Sequence, residues 1–141
     1  MISKRFIRAL LLSAAIMCAA SYFWHGIILT DFVRLNRSKG KLLSLSAMIS
    51  VIIAYVMIKL YDLEFLDRHF RKQPLFRGLL VGAACGLVYF IISTAIGFSF
   101  NTSTNIQNHL VDVIWQIFEQ SLGGLVISMV YIAMYDPDAT D

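Results

Sequence analysis

LFRGLLVGAACGLVYFIISTAIGF, residues 75–98, decides the fold. A helix needs roughly 20 apolar residues to cross a hydrocarbon core about 30 Å thick, and this stretch has that length and character. Three more stretches of the same kind surround it, at about 7–30, 42–61 and 110–135, separated by short polar breaks. Short links make consecutive spans antiparallel neighbours. The expected fold is therefore an all-α membrane protein, a four-transmembrane-helix up-down bundle. Residues 1–141 form a single integral membrane domain with no sizeable soluble part.

Composition agrees. The chain is 58% hydrophobic and 15% charged, with a mean hydropathy of +0.71, where soluble domains carry roughly 25% charged residues. The net charge of +3 is small and its basic residues are scattered near span ends, where they hold helices in register with lipid headgroups. Nucleic acid is set aside as a partner, and the lipid bilayer takes its place. Cys18 and Cys85 fall inside spans with no second thiol or histidine at metal-ligand spacing, so they read as small apolar packing residues. Neither a cofactor nor a metal is expected. Lys4, Arg5 and Arg8 before an apolar run resemble the start of a secretory signal. The run continues through Phe23, Trp24, Ile27, Ile28 and Leu29, so it reads as an uncleaved first span.

The basic residues also set an orientation. With the N-terminus inside, Lys4, Arg5, Arg8, Lys59, Arg68, Arg71, Lys72 and Arg77 lie on the cytoplasmic side, against Arg34, Arg37, Lys39 and Lys41 outside. This imbalance places both termini in the cytoplasm of a cell whose inner (plasma) membrane holds the chain. The loop from Asp62 to Pro74 is expected to form an amphipathic turn, with Leu63, Phe65, Leu66 and Phe70 dipping into lipid. The acidic tail Asp136 to Asp141 faces in, and the Asn-rich link around Asn101-Thr102-Ser103 faces out.

Lipid tails are as apolar as leucine, so membrane helices associate by close packing and occasional hydrogen bonds. Gly78, Gly82 and Gly86 recur every fourth residue, with Ser93 and Gly97 near the extension of that face. Ser46, Ser50 and Ala54 repeat the spacing in span two, and span four has Gly123 and Gly124. The glycine strip suits either a neighbouring helix of the same chain or a second copy.

Polar groups at bilayer depth are costly and count as functional candidates. Span four holds His109, Asp112, Gln116, Glu119, Gln120 and Gly123 at steps of three and four, which makes one helical stripe. Span one has Ser21, Trp24, His25, Ile28 and Asp31. Both stripes occupy the same half of the membrane and can meet. At about 1.5 Å per residue, Glu119 lies roughly 15 Å below His109, near the midplane. A carboxyl at that depth can exchange a proton for a cationic substrate, and it can equally serve as a neutral structural hydrogen-bonding group. His25, His109, Asp112 and Asp31 would make a chemically sensible metal set, but they come from separate helices without local spacing. Ser21 and Ser121 have no nucleophile elbow around them, so the chain does not read as an enzyme.

The Trp24-His25-Gly26 end of span one, the Gly78-Leu79-Leu80-Val81-Gly82 opening of span three and the acidic start of span four resemble, in their order, small bacterial four-span membrane families catalogued as domains of unknown function. That resemblance implies a fold and no chemistry. Size and span count are also similar to small multidrug transporters, which place an essential carboxylate in the first span, where this chain has none at depth. The leading expectation is a small inner-membrane binding or transport protein. Its outward-facing polar cavity would lie between spans one and four and take a small-molecule or cation ligand. The alternative is a non-catalytic accessory subunit or assembly factor of a larger membrane complex, or a homo-oligomer.

Overall fold

Ser3 opens the first helix, its Oγ accepting the Phe6 N–H at 3.1 Å. This satisfies one of the amide donors that a helix start leaves unpaired. In the computed structural model, which describes residues 3–28, 39–100 and 106–134, the helices are α1 (Lys4–Ser21), α2 (Lys39–Tyr61), α3 (Glu64–Phe70), α4 (Pro74–Phe100) and α5 (Ile106–Ala133). The side chains of 39, 42, 96–100 and 106–109 are outside the description. No strand occurs among the described residues. Pro74 sits at the first position of α4, where its missing N–H has no intrahelical bond to lose.

Four stretches, Lys4–Ile28, Leu43–Tyr61, Pro74–Ala95 and Leu110–Ala133, are long and apolar enough to cross a bilayer. Their exposed surface is apolar, unlike that of a water-soluble protein. Ile114 is 68% exposed and Val88, Ile91, Phe118 and Met129 are exposed as well, whereas Ser13, Ser50, Glu119, Gln120 and Ser128 are buried. Only a lipid solvent accepts that distribution, because each buried polar group is costly and each exposed apolar one is at home.

The first span differs from a plain α-helix. After Ser21 the chain continues as a π-helix, Tyr22–Ile28, whose wider turns shift the face each residue occupies. Ile28, expected on the polar stripe, is therefore exposed. Asp31 and the first loop lie outside the described residues, as do the Asn101-Thr102-Ser103 link and the acidic tail. Ser93 also leaves its expected strip: it is exposed and donates to the Phe90 carbonyl of its own helix at 3.0 Å.

Small residues set the packing. Gly78, Gly82 and Gly86 of α4 face α5 directly: a Cβ on Gly86 would stand 2.7 Å from the Gln116 carbonyl oxygen, and Cβ atoms on Gly78 and Gly82 would overlap the Gly124 and Gln120 carbonyls. The pairing order, 78 with 124 and 86 with 116, makes the two helices antiparallel. The adjacent glycines of α5 serve different neighbours. Gly124 takes α4, and Gly123 takes α1, where Met17 would clash with a Cβ and Ser13 Oγ donates to the Gly123 carbonyl at 3.1 Å. Ser128 Oγ donates to the Pro74 carbonyl at 2.9 Å. The α2 helix lies along α1, presenting Ser50, Ala54, Met57, Ile58 and Tyr61 as its buried face.

The loop helix α3 is tied down by charge. Arg77, 7% exposed, pairs with Asp67 and lies 3.8 Å from the centre of the Tyr61 ring, so one guanidinium joins α2, α3 and α4. Leu66 packs toward the core and Phe70 against Phe76, leaving Phe65 and Leu63 exposed. Of the four residues expected to dip into lipid, Leu66 thus turns toward the core instead.

Gly82→Leu is expected to destabilise the detergent-solubilised protein by about 3 kcal/mol or more, since its added atoms meet backbone, whereas Gly40→Leu, whose Cβ meets nothing within 4 Å, is expected to change little. Reversible unfolding in mixed micelles measures the difference.

Candidate functional site

The helices that carry the polar stripes converge in one half of the bundle. There a cavity of about 180 Å³ is lined by Ser21 and His25 of the first span, Ser46 and Ser50 of α2, Tyr89 of α4, and Gln116, Glu119 and Gln120 of α5. All four spans contribute. Of the residues singled out from sequence, Ser21, His25, Gln116, Glu119 and Gln120 share these walls. Asp112 is half-buried and stands outside them. Asp31 and the His109 side chain lie outside the described residues.

Trp24 marks where the two stripes meet. Its indole stacks on Trp115 with ring centres 4.4 Å apart and planes within 9°, fixing the end of the first span against α5. Trp115 Nε1 in turn donates to Glu119 Oε2 at 3.1 Å, and Gln120 Nε2 to Glu119 Oε1 at 3.4 Å. Both carboxyl oxygens accept a hydrogen bond, and Glu119 is only 4% exposed. Three buried side-chain atoms are without a partner among the described residues: Trp24 Nε1 and Gln120 Oε1 at this end of the bundle, and Arg77 Nε at the other. Gln120 is 1% exposed.

Sequence reasoning missed Trp115 and Tyr89 and took Ser46 and Ser50 as packing residues. Trp115 had a usable signal, four residues before Glu119 and hence one turn away on the same face. Tyr89 had none, because its place in the wall comes from how α4 lies on α5. Ser50 Oγ donates to the Ser46 carbonyl at 2.9 Å, which satisfies its donor within the helix.

Among the described residues no group of three histidine, cysteine or carboxylate side chains is placed to hold a metal ion. A larger cleft of about 700 Å³ lies at the opposite end of the bundle, among Arg5, Asp62, Asp67, Arg77 and Tyr131. Several of its groups are engaged with one another, Arg77 with Asp67, Arg5 over the Tyr131 ring, and Tyr131 Oη donating to Asp62 at 3.0 Å, while the buried Arg77 Nε has no partner among the described residues and Arg71 also lines the cleft. The smaller cavity is bordered instead by the buried Glu119 and Gln120.

No protein-family model matches the chain, and neither the curated proteins nor the solved structures offer a significant match.

Trp115→Phe keeps a ring to stack on Trp24 but removes the donor to Glu119, and is expected to cost about 1–3 kcal/mol. Trp24→Phe removes a donor that has no partner and is expected to be near neutral. Unfolding of both variants in mixed micelles checks the contrast.

Proposed function

We propose that this chain is a small membrane-embedded binding or transport protein in which Glu119 exchanges a proton for a cationic ligand. The observation that supports the reading is a buried carboxyl in the wall of a cavity to which every span contributes a polar side chain. Structural hydrogen bonding alone would be met by Trp115 and Gln120. It would not call for Ser21, His25, Gln116 and Tyr89 around the same space. A volume of about 180 Å³ equals roughly six water molecules at about 30 Å³ each, which suits a small cation or the head of a larger one.

On the orientation favoured by the basic residues, both termini are in the cytoplasm of a plasma-membrane protein and the cavity lies in the outer half. A carrier built this way loads from outside and releases after Glu119 takes up a proton. His25 lines the same cavity. Because His25 and Glu119 line one cavity, acid–base chemistry on a bound ligand is a second reading. It differs from carriage by yielding product. As an accessory subunit of a larger complex, the chain would bind no small cation and would co-purify with its partner.

The sign of the pH dependence follows from the exchange. A cation that displaces a proton binds more tightly as pH rises, by about tenfold per unit while the unliganded carboxyl is protonated, and the gain stops once it is ionised. Titration calorimetry of the purified protein with alkylammonium ions across pH is expected to show this slope. Glu119→Gln is expected to remove the slope and weaken binding about tenfold or more. Binding that ignores both pH and the substitution would overturn the proposal.

A further inference from the structure

The polar cavity shares two of its walls with an apolar groove. Ile53 of α2 and Tyr89 of α4 line both spaces. The groove, about 260 Å³, runs between α2 and α4 on the surface that faces lipid, and Ile52, Val56, Ala84 and Val88 complete its sides. It presents no polar surface at all. The two helices are joined near one end, where the Arg77 guanidinium lies on the Tyr61 ring; the groove lies further along them.

Two neighbouring acceptor residues border the cavity. Glu119 offers its carboxyl, and the neighbouring Gln120, 1% exposed, has an Oε1 that accepts no hydrogen bond from any described residue. A carboxyl in the cavity wall suits a ligand with N–H donors, and an ammonium head has both the donors and the charge. The space next to that head is an apolar slot open to lipid.

We infer that the ligand is a single-chain amphiphile with an N–H-bearing cationic head, seated with the head against Glu119 and Gln120 and the tail along the α2–α4 groove. This inference rests on the cation-binding reading above and names its substrate class. Such a ligand enters sideways from the bilayer, past Ile53 and Tyr89, without passing through the helix ends. A tail leaving lipid for the groove exchanges one apolar surrounding for another and gains little. The groove therefore selects by shape, and the decisive test is steric.

The protein in lipid nanodiscs is titrated calorimetrically with methylammonium and with decylammonium, the latter counted per lipid. Ala84→Phe and Val88→Phe each place a ring in the groove. Ala15→Phe places one in the separate groove between α1 and α2, which Ala15 lines with Leu11 and Val51. The two α4 variants are expected to weaken decylammonium binding about tenfold or more, while methylammonium stays within about twofold in both and Ala15→Phe alters neither. Decylammonium binding that is indifferent to both groove variants would overturn the inference, as would a parallel fall of both ligands or an equal effect of Ala15→Phe. If wild type binds methylammonium in a Glu119-dependent way but excludes decylammonium, the amphiphile is wrong and the cation site stands. If it binds neither, both readings fall.

Discussion

The rest of the structure depends on the backbone contact between α4 and α5. Gly78, Gly82 and Gly86 let α5 approach until carbonyl oxygens of Gly124, Gln120 and Gln116 occupy the space where side chains would begin. In a bilayer no water is released by bringing helices together, so closeness itself is the source of attraction. The contact also positions the site. The residues whose carbonyls rest on the α4 glycines, Gln116 and Gln120, are the ones whose side chains line the cavity, with Glu119 between them. The polar wall therefore cannot shift without unseating the backbone contact between α4 and α5.

A second constraint comes from α1. With Gly124 committed to α4, Gly123 is free to receive Met17 and the Ser13 hydroxyl. One pair of adjacent glycines thus makes α5 the helix on which both neighbours lean. The stacked indoles of Trp24 and Trp115 secure the same two helices further along. Between these two points the first span presents Ser21 to the cavity, and His25 follows within the π-helical turn.

The spans were legible because membrane solvation is read residue by residue: long runs of Leu, Ile, Val and Phe need no tertiary information. The glycine strip was legible for the same reason, as a spacing of four is a property of one helix. Ser21, His25, Gln116 and Glu119 could be singled out because charge or polarity at depth is conspicuous wherever it occurs. Tyr89 could not, since an aromatic in a membrane helix is ordinary until its neighbours are known, and Trp115 was marked only by its place one turn before Glu119. Nor did Tyr22–Ile28 announce its π-helical geometry, which rotates Ile28 off the expected stripe. Ser93 is exposed among the described residues, and its hydroxyl turns back to the carbonyl of Phe90 in its own helix.

The stacked pair has one more consequence, an optical one. The chain contains two tryptophans, and both are in that stack. All indole emission therefore originates at a single point, the junction of the first span with α5 and the hydrogen bond to Glu119. Rings that lie nearly parallel at this separation share their excitation. The protein thus carries its own unlabelled reporter at the cavity wall, and its spectrum follows the local state of the site instead of an average over the fold.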